Sequence, residues 1–208
     1  MSEMDESSLS APEDATPVRK RPRPGERRQQ ILQTLASMLE QPGAERVTTA
    51  SLASRIGVSE AALYRHFASK AQMFEGLIDF VDQSVIGLIR QVTDREPAGP
   101  NQAARILALL FQFAEKNPGM CRVMTGDALV LEHERLQERI NLLFDKIEAQ
   151  LRQSLREANT TSATPTVDTQ VQASVLVAFM QGRLQRFVRS GFKRQPSEHL
   201  QAALARVL

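Results

Sequence analysis

The sequence contains no tryptophan, one tyrosine (Tyr64), one cysteine (Cys121) and three histidines. A single cysteine excludes an internal disulfide framework and points to a reducing compartment; packed as a small apolar residue, it is not read as a nucleophile. His66, His133 and His199 stand far apart. A HEXXH pair and a phosphate-cradling glycine loop are both lacking, so no enzymatic activity, metal or cofactor is expected. Glu132-His133-Glu134 reads as surface charge, because adjacent residues on a helix point in different directions. No stretch approaches about 18 uninterrupted apolar residues, so neither a membrane span nor a signal peptide is expected, and the expected location is cytoplasmic.

Charge is present but unevenly spread. The formal net charge is only +2. Residues 1–18 carry Glu3, Asp5, Glu6, Glu13 and Asp14 with no base, and the next ten positions hold Arg19, Lys20, Arg21, Arg23, Arg27 and Arg28. Five of the 26 bases are lysine, so arginine, the side chain suited to bidentate phosphate and guanine contacts, makes up the rest. Residues 1–24 read as a disordered arm. On charge alone it is a solvated tail; beside a DNA-reading element it adds affinity through counterion release, with Arg27 and Arg28 nearest that element.

From Gly25 onward the apolar period is helical. Ile31, Leu32, Leu35, Met38 and Leu39 line one face of a first helix, which stops at Pro42-Gly43. A second is predicted over Ala50–Ile56 with Thr48 or Thr49 as cap, a third from Ser59 to about Phe67, and a fourth from Ser69 to Val92. Leu88 belongs to the predicted stripe of the fourth. The fifth, about Gln102–Lys116, is apolar nearly all round and is expected at the centre. A short helix near Cys121, a long one over 127–157, one over 168–191 and a last one from Pro196-Ser197 follow. The expected fold is all-α: a three-helix DNA-binding domain over 25–70 and a helical dimerisation and regulatory domain over 71–208.

The informative stretch is Val47–Phe67. Two short helices meet at Gly57, a residue that tolerates the left-handed backbone such a turn needs. Leu52, Ala53, Ile56, Val58, Leu63 and Phe67 form the inward set. Ser59, Glu60, Ala61, Ala62, Tyr64, Arg65 and His66 then face outward, a surface suited to a major groove lined with phosphates.

The run Leu63-Tyr64-Arg65-His66-Phe67-Ala68-Ser69-Lys70 resembles the DNA-binding signature of the TetR family of bacterial regulators. That resemblance implies phosphate contacts from Tyr64, His66 and Lys70, with Thr48 and Thr49 anchoring the second helix. The chain departs from the family at Ala61 and Ala62, which offer methyl contacts but no hydrogen bonds to bases. Specificity then leans on Ser59, Thr48, Thr49, the arginines or DNA shape. Glu60 is read as strengthening the positive end of the third helix.

Gly57–Lys70, the Glu115–Gly119 turn, residues 135–152 and residues 186–193 together resemble the nucleoid occlusion branch of that family, with Gly191 and the long N-terminus as departures. The resemblance implies a nucleoid-associated homodimer on palindromic double-stranded DNA, with dimers of dimers there. It also implies binding of the division GTPase FtsZ and antagonism of its polymerisation, through Phe80, Leu109, Lys116 and Asn117. From the residues themselves, Phe80 with Gly87 and Arg90 along one side suggests a groove for an acidic-apolar peptide. Against the groove stand Phe80 packing on a neighbouring helix and Leu109 as plain core, the readings the residues favour without the resemblance.

Ala173, Val177, Ala178, Phe179 and Gly182 would let a second helix approach closely, forming a four-helix dimer interface with the second half of the 127–157 helix. A ligand-responsive repressor is the alternative function. The fifth helix offers few polar anchors for a small molecule, and no small-molecule ligand or membrane partner is expected.

Overall fold

The computed structural model describes residues 25–41, 46–158 and 166–208. The N-terminal arm, the Pro42-Gly43 stop and most of the loop after residue 158 lie outside them. Among the described residues the architecture is wholly helical, with no strand. The helices are α1 (Glu26–Leu39), α2 (Thr49–Ile56), α3 (Glu60–Tyr64), α4 (Lys70–Thr93), α5 (Pro100–Lys116), α6 (Pro118–Met124), α7 (Glu134–Ala158), α8 (Thr166–Arg189) and α9 (Leu200–Leu204).

Local chemistry starts several of them. Thr48, Ser59 and Ser69 accept hydrogen bonds from the first-turn amides of α2, α3 and α4. Pro100 and Pro118 open α5 and α6, where the missing N–H costs nothing. Asn117 ends α5, its Nδ2 donating to the Phe113 carbonyl at 2.8 Å.

Several boundaries differ from expectation. α3 ends at Tyr64, and a turn in which the Phe67 amide donates to the Leu63 carbonyl carries Phe67 into the core. The 127–157 helix begins only at Glu134. A 3-10 turn over Asp127–Leu129 precedes it, and Leu131 adopts φ +65, which a right-handed helix cannot contain. α9 starts at Leu200 rather than at Pro196.

One core runs through the chain. Met73, Phe74, Leu77, Ile78, Val81, Val85, Ile89 and Val92 of α4 are buried, whereas Leu88 is half-buried. α5 buries a single face through Ala103, Ile106, Leu107, Leu110, Phe111 and Ala114; Leu109 and Phe113 are only partly covered, so α5 is amphipathic rather than apolar all round. Each fully buried Leu, Ile or Phe here contributes about 1.5–3 kcal/mol. α6 lies against α1 so closely that a Cβ on Gly119 would run into the Ala36 carbonyl oxygen. On its other side the Cys121 thiol donates to the Leu184 carbonyl of α8 at 3.9 Å. α6 is thus the wedge between the N-terminal helices and the body.

α7 and α8 pair as neighbours: Arg152 and Glu148 both bond Gln170. α4 and α7 are joined by Glu75–Arg135, Asp79–Arg139 and Asp82–Lys146. The numbers on both helices rise together, so these two helices run parallel. Exposed pairs of this kind contribute at most about 1 kcal/mol each, and they set register more than stability.

Candidate nucleic-acid interface

Helices α2 and α3 are held at a fixed angle by their own connection. Gly57 takes φ +76 and its amide returns to the Ala53 carbonyl at 2.9 Å, closing α2. Thr48 and Ser51 form a reciprocal capping box at the other end. Leu52, Ala53, Ile56, Leu63 and Phe67 are buried beneath, with Val58 partly so. A further strut was not legible in the sequence: Thr49 Oγ1 donates to Glu60 Oε2 at 2.6 Å, tying the first turn of α2 to that of α3. Glu60 therefore braces the two helices from the first turn of α3.

This frame brings Thr48, Ser59, Ala61, Tyr64 and His66 to the surface, with Thr49 and Ala62 partly covered. Tyr64 is 45% exposed, high for the only tyrosine in a chain with a large apolar core. Arg27 is half-buried and donates to Gln30 at 2.7 Å. Arg28 has a structural role: its Nη1 donates to the His66 carbonyl at 2.8 Å and its guanidinium sits over the Phe67 ring. Lys70 does not project freely. Its Nζ donates to Glu132 Oε1 at 2.5 Å, and Arg46 Nε donates to the same oxygen at 3.0 Å. Glu132, expected as surface charge, has a side chain only 7% exposed, because the turn before α7 folds it under these two cations.

The second group of residues lies on α4 and α5, which pack together. Phe80 is 49% exposed, Gly87 has no atom near its missing side chain, and Lys116 is exposed. Arg90 departs from the group. Ten residues at about 100° each place it roughly 80° around the helix from Phe80. There it borders a cleft of 230 Å³ between α4 and α7, lined by Ile86, Ile89, Lys146 and Gln150. On α8, Ala173 and Val177 are buried within the chain and Phe179 packs edge-on to Phe111. Ala178 and Gly182 instead share an exposed stripe with Val171 and Val175.

A capped two-helix unit with a glycine turn, set on an all-helical body, defines a regulator carrying a DNA-binding helix-turn-helix. Residues 31–77 match the model of bacterial regulatory proteins of the tetR family, and residues 101–206 match that of the tetracyclin repressor-like C-terminal domain. The chain belongs to the TetR family, in the group of the nucleoid occlusion factor SlmA. It is 51% identical to that factor from Idiomarina loihiensis over 177 residues, covering 85% of this chain and 90% of the relative. The factor from Photobacterium profundum is 51% identical over 175 residues, covering 83% and 89%. In fold alone, the chain resembles FadR from Bacillus subtilis in complex with stearoyl-CoA (TM-score 0.69, 14% identity, 86% and 96% covered). The same holds for PfmR from Thermus thermophilus (TM-score 0.68, 20% identity, 86% and 96% covered).

Proposed function

We propose that this protein is a nucleoid occlusion factor: a homodimer that binds palindromic chromosomal sites and, on DNA, binds FtsZ and antagonises its polymerisation. The observation that carries the proposal is 51% identity over 85% of the chain to a relative bearing that name. In this reading residues 25–70 form the DNA-binding domain and residues 71–208 the dimerisation and partner-binding domain. Thr48, Thr49, Ser59, Ala61, Ala62, Tyr64, His66 and Lys70 face the major groove and its phosphates. Arg27 contributes charge at the groove edge, and Arg28 holds the His66 segment in place for it.

The stripe of Val171, Val175, Ala178 and Gly182 on α8 supports a two-fold interface with α8 of a second copy. Two half-sites are what a palindrome requires. Exposed Phe80 beside open Gly87, with Lys116 and Asn117 at the end of α5, supports an acidic-apolar peptide groove between α4 and α5.

Light scattering of FtsZ polymers with GTP tests the function directly. Loss of polymer that depends on a short palindromic duplex selected by this protein is expected. No loss with or without DNA would leave a repressor of the ligand-responsive kind.

A further inference from the structure

Lys70 and Glu132 are 62 residues apart, one at the start of the fourth helix and the other in the turn before α7. Lys70 is among the helix-turn-helix residues expected on a phosphate, yet its ammonium is bonded to a carboxylate from the body of the protein. Both groups are largely withdrawn from solvent, with side-chain exposures of 19% and 7%. A phosphate and Glu132 therefore compete for one cation. We infer that Glu132 is a positioning residue for DNA binding: an intramolecular stand-in for phosphate that holds Lys70 until DNA displaces it.

The arrangement around Glu132 makes that exchange feasible. A buried carboxylate stripped of its only partner is strongly unfavourable. Here the same Oε1 also accepts from Arg46 Nε at 3.0 Å, so Glu132 keeps a cation after Lys70 leaves. Arg46 grips the turn a second time, its Nη2 donating to the Leu131 carbonyl at 2.9 Å. Leu131, at φ +65, belongs to the turn whose carbonyl meets Arg46 and whose next side chain meets Arg46 and Lys70. Arg46, although 53% exposed, is bonded to the turn at two points and can stay on Glu132 when Lys70 exchanges. Glu132 lies two residues ahead of α7, whose Arg135 and Arg139 pair with α4.

The inference rests on DNA binding by the helix-turn-helix and is independent of any protein partner. Its test is fluorescence anisotropy on a palindromic duplex selected by the wild-type protein, with Glu132→Gln, Glu132→Asp, Lys70→Ala and the Lys70→Ala/Glu132→Gln pair. Glu132→Gln should bind about three- to tenfold more tightly than wild type. Glu132→Asp should stay near wild type, and Lys70→Ala should be more damaging in the Glu132→Gln background. A purely structural Glu132 predicts the reverse: weaker binding in Glu132→Gln and the same loss from Lys70→Ala in both backgrounds. Either of those outcomes, or unchanged affinity, overturns the inference.

Should Glu132→Gln fail to fold, the wild-type protein decides alone through the lysine ammonium ¹H–¹⁵N signal that Lys70→Ala removes. That signal should shift when the duplex is added, and a signal that stays where it was overturns the inference. No binding of wild type to any selected duplex would instead remove the DNA-binding reading itself.

Discussion

The guanidinium of Arg28 lies 4.0 Å above the centre of the Phe67 ring while its Nη1 donates to the carbonyl of His66. One side chain of α1 thus fastens the segment leaving α3, and it does so from a position expected only to add charge beside the DNA-reading element. The contact is exposed, so the cation–π part contributes about 0.5–1 kcal/mol. Arg28→Ala should lower stability by roughly 1–2 kcal/mol in urea denaturation and weaken DNA binding through a displaced His66. Unchanged stability would return Arg28 to the role of a simple phosphate contact.

Gly119 sits where α6 presses on the backbone of α1. A methyl group there meets a carbonyl rather than a flexible side chain, so Gly119→Ala should cost about 2–3 kcal/mol. Thermal unfolding checks it, and a melting temperature equal to wild type would mean that α6 can move away from α1 without loss.

Tyr64 stands outside the core, so Tyr64→Ala should leave fold and dimer intact while weakening DNA binding at least about tenfold. Sedimentation and anisotropy on one sample separate the two effects. Loss of the dimer in this variant would contradict a surface role.

Phe80→Ala and Lys116→Glu alter the α4–α5 surface and leave the helix-turn-helix untouched. Under the proposed function, both should bind the selected duplex as wild type does and lose the expected effect on FtsZ polymers. If both still disperse polymers, the groove lies elsewhere on the molecule.

Cys121 is fully buried against α8, and desolvation by burial pushes its thiol up to about 12 from 9.0. A raised native value means that the unfolded chain releases its proton first as pH climbs. The stability contribution is therefore complete below about pH 9 and is lost between there and about pH 12. Over that window it amounts to roughly 4 kcal/mol at most. Wild type should lose stability faster than Cys121→Ala from pH 9 upward, and parallel curves for the two would exclude the effect. In the native state at about pH 8 the thiol should resist alkylating reagents until the protein unfolds.

What the order of residues carried was local. Thr48, Ser59 and Ser69 announce helix starts because a cap acts within one turn, whereas Pro100, which the pattern leaves in a loop, and Pro118, which it reads as a helix end, open α5 and α6. Gly57 between two short apolar patterns marks the helix-turn-helix, and the exposure of Tyr64 and His66 follows from the same period. Leu131 is where this reading failed. Residues 127–133 look helical in pattern, but Arg46 holds the Leu131 carbonyl and Glu132 from 85 and 86 residues away.

Tertiary packing alone decided the rest. It turned Glu132 from an exposed charge into a shared buried partner of Lys70 and Arg46, and it set Glu75, Asp79 and Asp82 opposite Arg135, Arg139 and Lys146. It also moved Arg90 to the α7 side of α4 and gave Arg28 to Phe67. A charge has many possible partners along a chain. Which one it meets depends on how burial of the apolar faces orients whole helices, a property of the folded core that no single segment contains.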